Sequence, residues 1–319
     1  MTHVVFDNSA VQCFRENPEA FRLKYRQHLT VAAPATHFGA GTALHGARNV
    51  LFDARRAGAK TYTIAQVDAA VALARTLRGD APGRRNAEQC EAVVRAYAAV
   101  YAEEPFEIVA NEEYVEAYIG CNCHASSASL ECVHAAHCVG FAYCGILDAA
   151  IRFPDNTEYV FDLKSTGTYL NAEWEQCMRL ADQFTGYVAL RRAFGARCDG
   201  YYVDGIHMRD ARPRKDGTLG TPSVDMEKDF VRVGPVQVPE WRIERWATSM
   251  RYTLGQIAEL ERTRGIDTPW PIYQNWSYGK VDEYRDFYAE PDELHTATAQ
   301  TFVKHVWDPR EVAEGRKVK

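Results

Sequence analysis

The stretch "GILDAAIRFPDNTEYVFDLKST", residues 145–166, limits what this chain can fold into more than any other part of it. Two apolar runs rich in β-formers flank Pro154-Asp155-Asn156-Thr157, and a turn signal between such runs predicts an antiparallel hairpin. Both runs read as interior strands, yet the first carries Asp148 and the second Asp162 and Lys164. Side chains alternate faces along a strand, so Asp162 and Lys164 share a face while Leu163 points to the other. If the turn closes, Asp148 comes within reach of Asp162, in a register that the residues leave open. Two carboxylates that close repel unless a cation sits between them. Hard divalent ions such as Mg2+ are held by one or two carboxylates plus water and phosphate oxygens, and a lysine beside them adds positive charge. The same spacing also fits an Asp–Lys ion pair on a solvated sheet face.

Composition narrows the setting. In 319 residues, 46% are hydrophobic and 12% aromatic, enough for a sizeable core. Lys plus Arg number 37 against 43 Asp plus Glu, a formal net charge of -6, so no global positive field announces a polyanion and any nucleic-acid contact must come from local basic patches. The start "MTHVVFDNSAVQ" lacks a basic segment leading into an apolar one, and no window nears the roughly 20 apolar residues that span a bilayer. A soluble, intracellular (cytoplasmic) protein is expected. Nine cysteines then point to reduced thiols or metal ligands rather than disulfides.

Along the chain, helices are expected first. Residues 9–29 read as helical and basic, with Asn17-Pro18 restarting the helix, and 37–58 as the next helix. Thr63 with Gln66 and Asn86 with Gln89 have capping-box spacing and open two more, so four helices precede the first expected strand. Strands follow over 105–120, 139–153 and 157–166, then one amphipathic helix over 171–195, a strand from Cys198, a loop, a strand near Phe230 and a helix over 239–264.

Gly145-x-x-Asp148, Asp162-Leu163-Lys164 followed by Ser-Thr, and Gln183-x-x-x-Tyr187 resemble, in order and spacing, the RecB-type branch of the PD-(D/E)xK nuclease superfamily, which includes many phage exonucleases. "SAVQCFRENPEAFRLKYRQHL" resembles that branch's opening helix and "GAGTALHGA" its Gly-x-x-x-His helix, so the resemblance covers nearly the whole chain. It implies a restriction-endonuclease-like α/β fold: a central mixed sheet flanked by helices, in a single 1–319 domain. Within it a helical N-terminal part spans 1–104, a catalytic core 105–265 and a tail 266–319. It implies His45, Asp148, Asp162 and the Leu163 backbone carbonyl as ligands of Mg2+ or Mn2+, and Asp148, Asp162, Lys164, Gln183 and Tyr187 as the catalytic set. Lys164 would orient the attacking water and offset charge on phosphate, and Gln183 and Tyr187 would position DNA and Lys164. A further acidic position falls on Glu112 or Glu113.

The chain departs from that pattern twice. Many relatives carry a four-cysteine iron–sulfur cluster. Cys13 stands at its first position, but the other three places read Trp276, Asp282 and Tyr288, so no such cluster is expected and aromatic packing should replace it. A Cys/His-rich insertion at 120–138 offers Cys121, Cys123, Cys132 and Cys138 as candidate ligands of a structural Zn2+. Arg22, Lys24, Arg26, Arg191 and Arg192 are candidate phosphate contacts, and no base-reading motif is present, so DNA without strong sequence preference is the expected partner. A recombination or single-strand-binding protein is a further partner the resemblance implies, and a bacterial or phage-infected cell the setting. Two other classes stay open: a nucleic-acid-binding or assembly module with a vestigial site, and a zinc-stabilised interaction protein.

Overall fold

A computed structural model describes residues 3–30, 38–79, 85–121, 140–213, 215, 219–220, 222–273, 284, 287–288 and 302–308. The fold is mixed α/β, with a central mixed sheet flanked by helices, as expected. The elements are β1 (His3–Phe6), α1 (Asn8–Glu16), α2 (Pro18–Phe21), a π-helical turn (Arg22–Arg26), β2 (Leu29–Thr30), α3 (Phe38–Arg56), α4 (Ile64–Arg78), α5 (Ala87–Val100), β3 (Glu107–Cys121), β4 (Gly140–Arg152), β5 (Glu158–Thr166), α6 (Ala172–Leu180), α7 (Asp182–Ala193), β6 (Cys198–His207), β7 (Arg212–Pro213), β8 (Leu219–Gly220), β9 (Phe230–Gln237), α8 (Glu240–Arg264) and β10 (Val303–Lys304). The chain packs as two compact units, each discontinuous in sequence. The first comprises Met1–Pro34, Tyr114–Gly145 and Glu240–Lys319, and the second Ala35–Glu113 and Ile146–Pro239.

In the first unit, β1 pairs in parallel with the start of β4, His3 to Phe6 lying opposite Gly140 to Tyr143. This corrects the expectation that helices come first. Val4, Val5 and Phe6 favour extended backbone, but so short a run has no readable period and its partner is far away in sequence. Asp7 starts α1 by accepting from the Ala10 amide at 2.7 Å. Asn17 starts α2 by accepting from the Glu19 amide at 3.2 Å, with Pro18 in the first turn, where its missing N–H costs nothing. Cys13, Tyr288 and Phe302 pack against Ala20, Leu23, Leu29, Tyr284 and Phe287, an aromatic cluster at two of the four expected cluster positions. Trp276 and Asp282 lie outside the described residues.

In the second unit, the end of β4 pairs antiparallel with β5, from Ala149 opposite Phe161 to Arg152 opposite Glu158. The turn between them is closed by the Asp155 carboxylate accepting from the Thr157 amide at 2.9 Å. β5 runs parallel to β6 and β6 antiparallel to β9. Helices α3, α4 and α5 cover one sheet face, where Leu44, Leu51, Val71, Val93 and Val94 bury with Leu163, Ile206 and Phe230. The Thr63–Gln66 capping box forms in both directions. At α5 only half of the second box forms: Asn86 accepts from the Gln89 amide at 3.0 Å, and the Gln89 side chain donates instead to the Arg209 carbonyl.

The single helix expected over 171–195 is two. Ala181 turns extended, with ψ 125°, between α6 and α7. The Tyr201 hydroxyl accounts for the stop, donating to the carbonyls of Met178 (3.0 Å) and Arg179 (2.8 Å) that a continuing helix would use. α6 buries no residue, whereas α7 buries Phe184, Tyr187, Val188 and Leu190. Among the described residues, no helix is long and apolar enough to cross a membrane.

Candidate active site

The candidate site lies within the second unit, where α3 meets the β4–β5 hairpin. Gly41 permits this approach. A Cβ there would stand 3.3 Å from Ser165 Oγ at the end of β5, tighter than ordinary packing. One helical turn on, His45 Nδ1 reaches to 3.1 Å from Asp148 Oδ2. The β4–β5 register, continued one pair past Ala149 and Phe161, sets Asp148 opposite Asp162. Both aspartates are buried, and Leu163 packs with the helical core on the other face, as the alternation requires.

Asp148 Oδ2 accepts from the Leu163 amide at 2.9 Å and lies 3.3 Å from Arg48 Nη1. Burial works against its ionisation, but the charges of His45 and Arg48 beside it outweigh that and hold the carboxyl well below its ordinary range. Asp162 is shifted the other way: burial pushes it up, Asp148 adds to this, and Lys164 only partly opposes it. Lys164 Nζ lies 2.7 Å from Asp162 Oδ2 and 5.4 Å from the centroid of the Phe184 ring on α7. Against its burial, the two aspartates hold its proton more firmly than usual. Asp162 Oδ2 is thus taken up by an ion pair with the Lys164 ammonium.

Of the two glutamates between which the acidic position was left open, Glu112 stands beside His45 and Asp148. Glu112 joins His45 and Asp148, and ligand atoms of the three lie within 4.8 Å of one another. Glu113 pairs with Arg191 at 2.7 Å. Glu112 takes a left-handed backbone, φ 52°, inside β3, a conformation that costs a non-glycine residue of order 1 kcal/mol or more. Asn49 Nδ2 fixes its carboxylate at 2.8 Å.

Two residues of the site went unread in the sequence, Arg48 and Asn49, although they follow His45 by three and four positions and so share its side of α3. Arg48 is 2% exposed. It donates to the Asp148 carbonyl at 3.0 Å and to Asn49 Oδ1 at 2.6 Å, while its Nε and Nη1 make no hydrogen bond. A buried guanidinium therefore already offsets part of the carboxylate charge.

Gln183 sits in the first turn of α7, one turn before Tyr187, and its Nε2 donates to the Tyr187 hydroxyl at 2.9 Å. The pair stands on the helix that carries Phe184 against Lys164. The Leu163 carbonyl was expected to be a ligand; the Leu163 group seen at Asp148 is its amide.

Four of the five expected phosphate contacts, Arg22, Arg26, Arg191 and Arg192, are engaged within the protein. Arg22 is buried, pairing with Glu19 at 2.5 Å and donating to the Ile266 carbonyl at 2.7 Å. Arg26 pairs with Glu261. Arg191 bridges Glu113 and Glu158, and Arg192 donates to the carbonyls of Cys198 (2.7 Å) and Val238 (2.8 Å). Each guanidinium is used to join elements, and the Lys24 Nζ lies 5.9 Å from the Tyr25 ring centroid. Cys123, Cys132 and Cys138 lie outside the described residues, as does the Cys121 side chain.

His45 Nδ1, one oxygen of Glu112 and one of Asp148 form a set of one nitrogen and two oxygens that could hold a metal ion. No protein-family model matches the chain, and no curated protein matches it.

Proposed function

We propose that the protein is a divalent-metal-dependent DNA nuclease, an exonuclease of RecB-like type that acts in recombination, repair or phage DNA processing inside a bacterial or phage-infected cell. The observation that carries the reading is the convergence of His45, Glu112 and Asp148, with Asp162 and Lys164 on the adjoining strand, in one largely buried site. His45, Glu112, Asp148 and Asp162 would hold Mg2+ or Mn2+. When bound, such an ion supplies positive charge to a phosphate and makes a water more acidic. Lys164, fixed by Asp162, places an ammonium at the mouth of the site to orient water and meet the charge that builds on phosphate. Arg48 and the Leu163 amide hold Asp148 in place, and α7 brings Gln183 and Tyr187 alongside to position the strand being cut.

A second reading, a non-cleaving nucleic-acid-binding module, is favoured by Arg48 itself, which offsets the carboxylates without any metal. Incubation of end-labelled linear DNA and closed circular DNA with Mg2+ separates the two. Loss of linear DNA only, abolished in both Asp162→Ala and Lys164→Ala, is expected. DNA left intact but bound would sink the nuclease reading.

A further inference from the structure

Parallel β5 and β6 end side by side, Thr166 opposite His207, and beyond their carboxyl ends the second unit opens into a cleft of about 780 Å³. Its lining includes Gly167, Tyr169, His207, Arg209, Arg212 and Ser223. Ligands of α/β sheets bind outside the carboxyl ends of parallel strands, because the loops there converge while the strands supply rigid support.

Tyr169 is the conspicuous member. A tyrosine 77% exposed is a large ring left in water, yet it is held in place. Its ring lies 4.9 Å from that of His207, centroid to centroid. His207 is in turn buried, its Nδ1 3.0 Å from Asp229 Oδ1, and the same carboxylate oxygen accepts from Arg209 Nε at 3.0 Å. The Thr166 and Thr168 hydroxyls bond each other at 2.8 Å and steady the approach of the chain. The ring thus leans at 46° against a fixed imidazole, and its exposure is to the cleft side.

Charge in the cleft points the same way. The carboxylate at its edge, Asp210, is paired with Arg85 at 3.1 Å, and Asp229 with Arg209. Arg212 is exposed and makes no ion pair among the described residues. A braced aromatic face with a cation near it suits a π-face joined to a phosphate, the chemistry of an unpaired nucleotide. In duplex DNA the base faces are stacked on each other and out of reach.

We infer that this cleft binds an unpaired nucleotide of a DNA strand, with the base stacked on Tyr169 and the phosphate at Arg212. The inference rests on the nuclease reading for its setting. Gly167 follows Lys164 by three residues, about 10 Å of strand, so the DNA chain that meets Lys164 passes the cleft at once. It adds a substrate class to that reading: strands with a single-stranded end.

The test measures fluorescence anisotropy of a labelled oligothymidylate, and of a blunt duplex of equal length, with the full chain in chelator. Single strand should bind more tightly than duplex. Tyr169→Ala should weaken it roughly five- to 150-fold, the range of one base–aromatic stack, and Tyr169→Trp should retain it. The inference falls if Tyr169→Ala binds the oligonucleotide as the wild type does, or if the wild type binds none. It also falls if Tyr273→Ala, which removes another exposed aromatic, weakens binding as much. Cleavage in Mg2+ is read separately, so a protein that binds through Tyr169 but cuts nothing loses the nuclease reading and keeps this one.

Discussion

Arg48→Met separates a metal site from a vestigial one. The Arg48 side chain is 1% exposed, with Nη1 3.3 Å from Asp148 Oδ2. At an effective dielectric of about 20, that separation corresponds to an attraction of about 5 kcal/mol. The variant no longer has to bury a guanidinium, and Asp148 keeps His45 Nδ1 at 3.1 Å and the Leu163 amide at 2.9 Å, so part of the attraction is offset. Losing one partner of a buried pair costs about 3–5 kcal/mol, and the surviving partners place the expected loss at about 2–3 kcal/mol, or roughly 4–12 °C in Tm. The assay is thermal unfolding in chelator and again with Mg2+. With the resident cation gone, Glu112, Asp148 and Asp162 attract a divalent ion more strongly. Mg2+ at a hundredfold excess over its Kd should return about 2.7 kcal/mol, more than it adds to the wild type. Equal Mg2+ shifts in the two proteins, or no loss in chelator, would refute the reasoning.

Two further predictions concern the framework around the site. Arg232 holds both buried Asp204 and Glu104, at 2.6 and 2.7 Å, and Arg232→Met should cost about 3–5 kcal/mol in urea unfolding; a loss under about 1 kcal/mol would mean the network is not structural. Burial would raise the Glu158 carboxyl, but hydrogen bonds from Arg191 and Arg152 more than reverse this and hold it below its ordinary 4.5. A depressed folded value stabilises above about pH 4.5 and is lost as pH falls below it. Wild type and Glu158→Gln should therefore converge in urea midpoint as pH drops through that range, and a gap that stays constant would contradict the ion-pair account.

How much of this could be read from the residues alone follows from how local each signal is. The Thr63 box, the Asn17-Pro18 restart and the Pro154–Thr157 turn are carried by residues in contact with their own neighbours, and they form where the spacing places them. The hairpin then brings Asp148 and Asp162 together, in a register that the residues left open and the β4–β5 pairing fixes. What stayed hidden depends on partners distant in sequence. The break at Ala181 is made by Tyr201 from another strand, and β1 is a strand because β4 lies beside it. A basic residue is hard to read for the same reason: Arg191 reads as surface charge until Glu113 and Glu158, far from it in sequence, are seen around it. That Glu112 stands beside His45 and Asp148 while Glu113 pairs with Arg191 depends on contacts no residue pattern announces.

The discontinuous make-up of the two units sets an order of assembly during synthesis. The unit bearing His45, Asp148, Asp162 and Lys164 has all of its segments once Pro239 has left the ribosome, whereas the other cannot close until Glu240–Lys319 follows. At about 5–20 residues per second those last residues take roughly 4–16 s, ample for a domain to fold. For that interval the nascent chain can carry its candidate chemistry already formed, while α1 and α2 still wait for α8.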